Sequence, residues 1–254
     1  MRPAWQRILP WWRMVQLSAQ VMVLLLSPSS YRPAPRQAMS RHVVAAVAPI
    51  LGWFTLLSAL TSLVITRIVL VTALSYGLSQ YALEMVVRVL VLELIPLTAA
   101  LFVALRWSIP AASELASLRR SETFGSGRQA DVDVLRMEVA PRAAAGLFAT
   151  LLLTAVSGTV SLVLAYVMAH GLSPWGFDGY TRMVGRVFSP AVTLIFVFKS
   201  LALSLAVSLI PIGSAWRDPA TVRVPAHAEL QGLVRMAVAI LLIEIAALMG
   251  NYYR

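Results

Sequence analysis

Six charged residues interrupt hydrophobic runs in this chain, and their types and spacing are where chemistry could begin. Glu84, Arg88 and Glu93 fall in a run from about Tyr81 to Leu105, Lys199 in one from Pro190 to Ile210, and Arg235 and Glu244 in one from Leu230 to Met249. A charge at the centre of a bilayer costs about 2.5–3.5 kcal/mol on insertion scales, so each needs a shielded interior, a polar cavity or a subunit interface. Glu84 and Arg88 stand four apart in the favourable order, and mutual neutralisation accounts for them cheaply. Glu84 and Arg235 lie near segment ends, where snorkelling is a sufficient explanation. Glu93 and Lys199 lie deeper, and there a functional role is the better reading. Pro96, three residues after Glu93, has no N–H to donate and would free carbonyls near Leu92, which suits a cavity wall or a gate.

Other reactive constellations are missing. The sequence holds no G-x-x-x-x-G-K-[ST] phosphate loop, so any ATP hydrolysis belongs to a partner chain. His42, His170 and His227 are far apart, without metal-ligand spacing, and no serine sits in G-x-S-x-G. Cysteine is absent, which removes disulfides and thiolate metal sites. No catalytic residue, metal or cofactor is expected, and the chain does not read as an enzyme.

The elements that must position these charges are membrane helices. Of 254 residues, 59% are hydrophobic and 13% charged, against about 25% charged in a soluble domain. The net charge of +10 comes from arginines beside apolar runs, which fits the positive-inside rule better than a nucleic-acid surface. Five runs approach the roughly 20 residues needed to span a bilayer. The first covers about Val43 to Thr66, with a possible extension past Arg67 to Leu74, and the second Tyr81 to Leu105. The others cover Ala143 to Met168, Pro190 to Ile210 and Leu230 to Met249. Residues 1–42 read as an interfacial amphipathic helix and a linker (Tyr31–His42), with Trp5, Trp11 and Trp12 alternating with Arg7 and Arg13. A signal peptide is the alternative for this segment. Residues 43–254 then form an all-α five-span domain, with a cytoplasmic loop at about 106–142 and a periplasmic loop at about 170–189. Arginine density before the first run and between the second and third places the N-terminus in the cytoplasm and the C-terminus in the periplasm. Arg182 and Arg186 in the outer loop run against that rule.

The stretch from Glu93 to Arg142 carries a resemblance. Glu93-Leu94-Ile95-Pro96, Arg106, Glu114-Leu115, Ser121-Glu122 and Pro141-Arg142 resemble the E-L-G-P, R-x-G, A-E-L-G, T-E-Q and P-R pattern of the MlaE/YrbE family, in register without a gap. Trp175–Tyr180 in the outer loop and Lys199-Ser200 extend the likeness. These are the membrane permeases of ABC-type MCE lipid transporters in the bacterial inner membrane. The resemblance implies a phospholipid permease that pairs with a second copy or paralogue, an ABC ATPase subunit and a periplasmic MCE-domain protein. It implies Arg88, Glu93, Pro96 and Lys199 at the lipid cavity or gate, and Glu114, Arg119, Arg120, Glu122 and Arg142 on the ATPase-docking loop. Trp175, Asp178 and Tyr180 would contact the periplasmic partner. Family glycines are replaced by Ile95, Leu105, Ser108 and Ala116, and the docking helix becomes Ser121-Glu122-Thr123-Phe124-Gly125-Ser126-Gly127. A non-transporting scaffold that has lost ATPase coupling is the alternative that this altered segment supports.

Overall fold

The computed structural model describes residues 16, 19–23, 27, 33–120, 134–217 and 225–252. The expected interfacial helix falls largely outside these, as does Glu122. Among the described residues there is no strand. Helix α1 spans Pro33–Ser75. A second helical run follows without a break: α2 (Ser79–Val86), a π turn (Val87–Leu94), α3 (Ile95–Val103), a π turn (Ala104–Ser108) and α4 (Ile109–Arg120). A third π turn (Leu135–Val139) leads into α5 (Ala140–His170). A short 3₁₀ turn (Pro174–Gly176) precedes α6 (Phe177–Val187), and α7 (Pro190–Arg217) and α8 (Pro225–Tyr252) follow.

Among the described residues, five segments are long and apolar enough to cross a membrane: Arg36–Ser75, Tyr81–Leu118, Leu135–His170, Pro190–Ala215 and Gly232–Asn251. They match the five expected runs; the first four extend beyond them, and the fifth is displaced by two residues. Residues 33–42, expected as a linker, belong to α1. Pro33 and Pro35 sit in its first turn, where backbone N–H groups have no helical partner to lose. The expected polar turn after Arg106 is helical as far as Arg120, since Ala, Ser, Glu, Leu and Arg sustain a helix once Pro110 is placed at its start.

Each π turn is followed by a proline at the second position of the next α-helix, namely Pro96, Pro110 and Pro141. The physical cause is common to all three. A proline ring clashes with the carbonyl four residues earlier and returns no N–H to it. Widening the preceding turn to the five-residue register relieves that clash. The N–H groups just before the prolines accordingly reach five residues back: Ile95 to Leu90, Ile109 to Ala104 and Ala140 to Leu135.

The chain divides into two compact units. One comprises residues within 1–48, 103–149 and 204–241. Its core packs Leu115, Val139, Ala140, Ala143, Leu209 and Ile212. The other comprises residues within 49–102, 150–203 and 242–254. There α1 is patterned inside out: Ile50, Phe54, Ser62 and Thr66 are buried, whereas Trp53, Leu56, Leu57, Leu60 and Val64 are exposed. Lipid is as apolar as leucine, so helix association in a membrane favours small and hydroxyl side chains inside. Ser62 and Ser161 share a buried hydrogen bond of 2.6 Å. Val86, Leu90, Val91 and Ile95 pack with Ala165 in this unit, and Val87 and Leu92 pack with Val187 of α6. Gly77 (φ 70°) and Gly171 (φ 65°) adopt the left-handed conformation just past the ends of α1 and α5, the position that glycine occupies without Cβ strain.

Candidate functional site

In the second of these units, Glu93 is the next-to-last residue of the first π turn, Lys199 comes from α7, and Glu244 and Asn251 come from α8. The Lys199 side chain is 1% exposed, and those of Glu93 and Glu244 are 14% and 13% exposed. The Lys199 ammonium donates to Glu93 Oε2, to Glu244 Oε2 at 2.7 Å and to the Leu92 carbonyl at 3.3 Å. All three of its N–H donors are therefore placed. Asn251 Nδ2 donates to Glu93 Oε1 at 3.4 Å. Glu244 Oε1 and Asn251 Oδ1 are buried without a partner among the described residues.

The wide turn and Pro96 explain why Leu92 can take part. Pro96 has no N–H to return to the carbonyl four residues back, and that carbonyl is the one Lys199 reaches. The cluster formally carries two carboxylates against one ammonium, in surroundings where each charge must be paired. An anion reaching the ammonium would compete with the carboxylates for it.

The structure thus brings together Glu93, Pro96 and Lys199 of the expected gate set. Arg88 is engaged elsewhere in the same unit: it donates from Nε and Nη2 to Glu84 Oε1 at 3.1 and 2.9 Å, a half-exposed pair within one helical run. Glu244 stood out in the sequence as an acid within a span, but nothing there paired it with Lys199. Asn251 gave no signal at all.

Of the residues expected for docking, the other unit holds Glu114, Arg119, Arg120 and Arg142. Arg142 is buried, with a side chain 5% exposed. It pairs with Glu138, donates to the Glu138 carbonyl at 3.0 Å, and lies 3.5 Å from Glu114, whose side chain is 62% exposed. Trp107 Nε1 donates to the Arg142 carbonyl at 3.1 Å and packs edge-on to His42 at 6.0 Å. Arg142 therefore braces this region from within, while Glu114 faces outward. Arg119 and Arg120 close α4. In the connection between α5 and α7, Trp175 is 92% exposed and Asp178 is also exposed, whereas Tyr180 is buried at 7%. The Tyr180 hydroxyl donates to the Leu162 carbonyl at 2.7 Å, and burial pushes its pKa up to about 12.

A model of the permease family described as Permease MlaE matches residues 39–249. The chain belongs to the MlaE permease family. Most of the chain lies within the match, including Glu93, Lys199 and Glu244, while Asn251 lies beyond it. Comparison with curated proteins returns no significant match. As an MlaE permease with five membrane-length helices among the described residues, the protein is a multi-pass membrane transport subunit in an ABC-transporter context and not itself an enzyme. Its family points to lipid as the class of cargo.

Proposed function

We propose that this MlaE permease moves phospholipid between the inner membrane and a periplasmic MCE protein, powered by a separate ABC ATPase subunit. The observation that supports this most is the Glu93–Lys199–Glu244 cluster, an ionic set retained inside apolar spans of a lipid-permease family member. Two copies, or one copy and a paralogue, enclose a cavity whose apolar walls accept acyl chains. A lipid phosphate arriving near Lys199 offers the ammonium a new anionic partner and loosens its hold on Glu93. The cluster thereby couples headgroup occupancy to the second and fifth spans. Arg88 takes part only by exchanging Glu84 for the headgroup.

The N-terminus is cytoplasmic and the C-terminus periplasmic in this reading. The ATPase docks on Glu114, Arg119, Arg120 and Glu122, with Arg142 holding Glu114 and Glu138 in place rather than touching the partner. Asp178 and the neighbouring Trp175 face the periplasmic MCE protein, and Tyr180 fixes the helix that carries them. Affinity purification of the tagged protein from native membranes tests this assembly. Recovery of an ABC ATPase and an MCE-domain protein is the expected result. Recovery of neither refutes the assembly and favours a non-transporting scaffold.

A further inference from the structure

The connection between α5 and α7 carries a pair of arginines that the transport reading leaves unused. Arg182 and Arg186 stand one turn apart on α6, and both are exposed. The opposite face holds them there: Val187 and Tyr180 are buried, and Met183 and Val184 pack on the core formed with Val87 and Leu92. Arg182 Nε donates to the Asp178 carbonyl at 3.0 Å, which leaves its terminal nitrogens for other acceptors. No ion pair joins Arg182 or Arg186 to a carboxylate among the described residues. Beside them the surface is open, since nothing lies within 4 Å of the place a Cβ on Gly185 would occupy.

Apolar side chains in the same connection point outward as well. Leu172 is 90% exposed, and Trp175 and Phe177 are also exposed. The span before this connection ends at His170 and the next begins at Pro190, so residues 171–189 join two spans on one side of the membrane. An amphipathic segment with arginines on its polar side and Trp, Leu and Phe beside them is suited to the boundary between headgroups and acyl chains. We infer that the exposed face of α6 is a binding site for anionic phospholipid headgroups, with Arg182 and Arg186 on the phosphate and Leu172 and Phe177 seated in the adjoining acyl boundary. Paired guanidinium groups match phosphate oxygens in geometry and charge. The site rests on these residues alone and is independent of the direction of transport and of the ATPase.

The absence of cysteine permits a single-site test on the full-length protein. Thr181→Cys, at an exposed position on α6, carries a fluorophore in phosphatidylcholine vesicles containing brominated phosphatidylglycerol, or brominated phosphatidylcholine at the same fraction. The anionic brominated lipid is expected to quench more strongly, with about fivefold local enrichment for each arginine. Arg182→Gln with Arg186→Gln should abolish the preference, and Arg182→Lys with Arg186→Lys should keep part of it. Equal quenching by the two lipids would overturn the inference. So would a label that neither lipid quenches, which would leave this face to a protein partner, as would loss of the preference in millimolar inorganic phosphate at constant ionic strength, which would mark a free-anion site.

Discussion

Replacing Lys199 by methionine isolates the ionic part of the buried cluster. The substitution keeps an unbranched side chain of similar length and removes the ammonium that reaches Glu93, Glu244 and the Leu92 carbonyl. Two largely buried carboxylates then face an uncharged thioether, and the Leu92 carbonyl loses the donor that stands in for the missing proline N–H. Removing one partner of a buried ion pair costs about 3–5 kcal/mol. This is a large share of the roughly 5–15 kcal/mol by which proteins are stable. The same logic gives the opposite sign for a neutral replacement of the whole set. Lys199→Met combined with Glu93→Gln and Glu244→Gln removes every charge, so most of the loss should be recovered. Denaturant unfolding of the purified protein in micelles, followed by helical circular dichroism, measures both. A single variant within about 0.5 kcal/mol of the parent would refute the reasoning, as would a triple variant no more stable than the single one.

Three further outcomes are expected. Replacing Arg119 and Arg120 together with Ala should reduce co-purification of the ATPase subunit while leaving membrane insertion intact, and undiminished recovery would remove both from the docking surface. Tyr180→Phe should cost about 1 kcal/mol, because the Leu162 carbonyl loses its hydroxyl donor. The tyrosine's pKa is raised by burial to about 12 from an ordinary 10. Its protonated form therefore contributes fully below pH 10, and that contribution is lost as the pH rises towards 12. Unfolding midpoints of wild type and Tyr180→Phe should converge over that interval, and a constant gap would contradict the assignment. Arg142→Met should destabilise the protein by about 3 kcal/mol, because Glu138 would lose its buried cation. An unchanged unfolding midpoint would instead place Arg142 among freely exposed side chains.

The spans were legible because apolar runs of membrane length leave few alternatives, and charges within them stand out against hydrocarbon. Glu93 and Lys199 could be singled out on that ground alone, but they lie 106 positions apart, and periodicity carries no information about pairs at that distance. Pro96 was more informative: it pointed to free carbonyls near Leu92, and Lys199 meets the Leu92 carbonyl. What the sequence concealed was the register. A π turn has no composition of its own, so the wide turns before Pro96, Pro110 and Pro141 emerge only from the backbone. Helix continuation through residues 106–120 was hidden for a related reason, since a proline and a rise in polarity read as a loop. Arg142 and Tyr180 were legible as residues but not in their burial, which depends on neighbours distant in sequence.

Whether the buried acid takes part in moving lipid is the central question. The most direct measurement is ATP-dependent transfer of a fluorescent phospholipid in proteoliposomes. These would hold the complex recovered with wild-type permease or with Glu93→Lys, both confirmed as inserted. Transfer by the wild-type complex and none by Glu93→Lys is the predicted result. Equal transfer by both would contradict the claim that this carboxylate gates the lipid path.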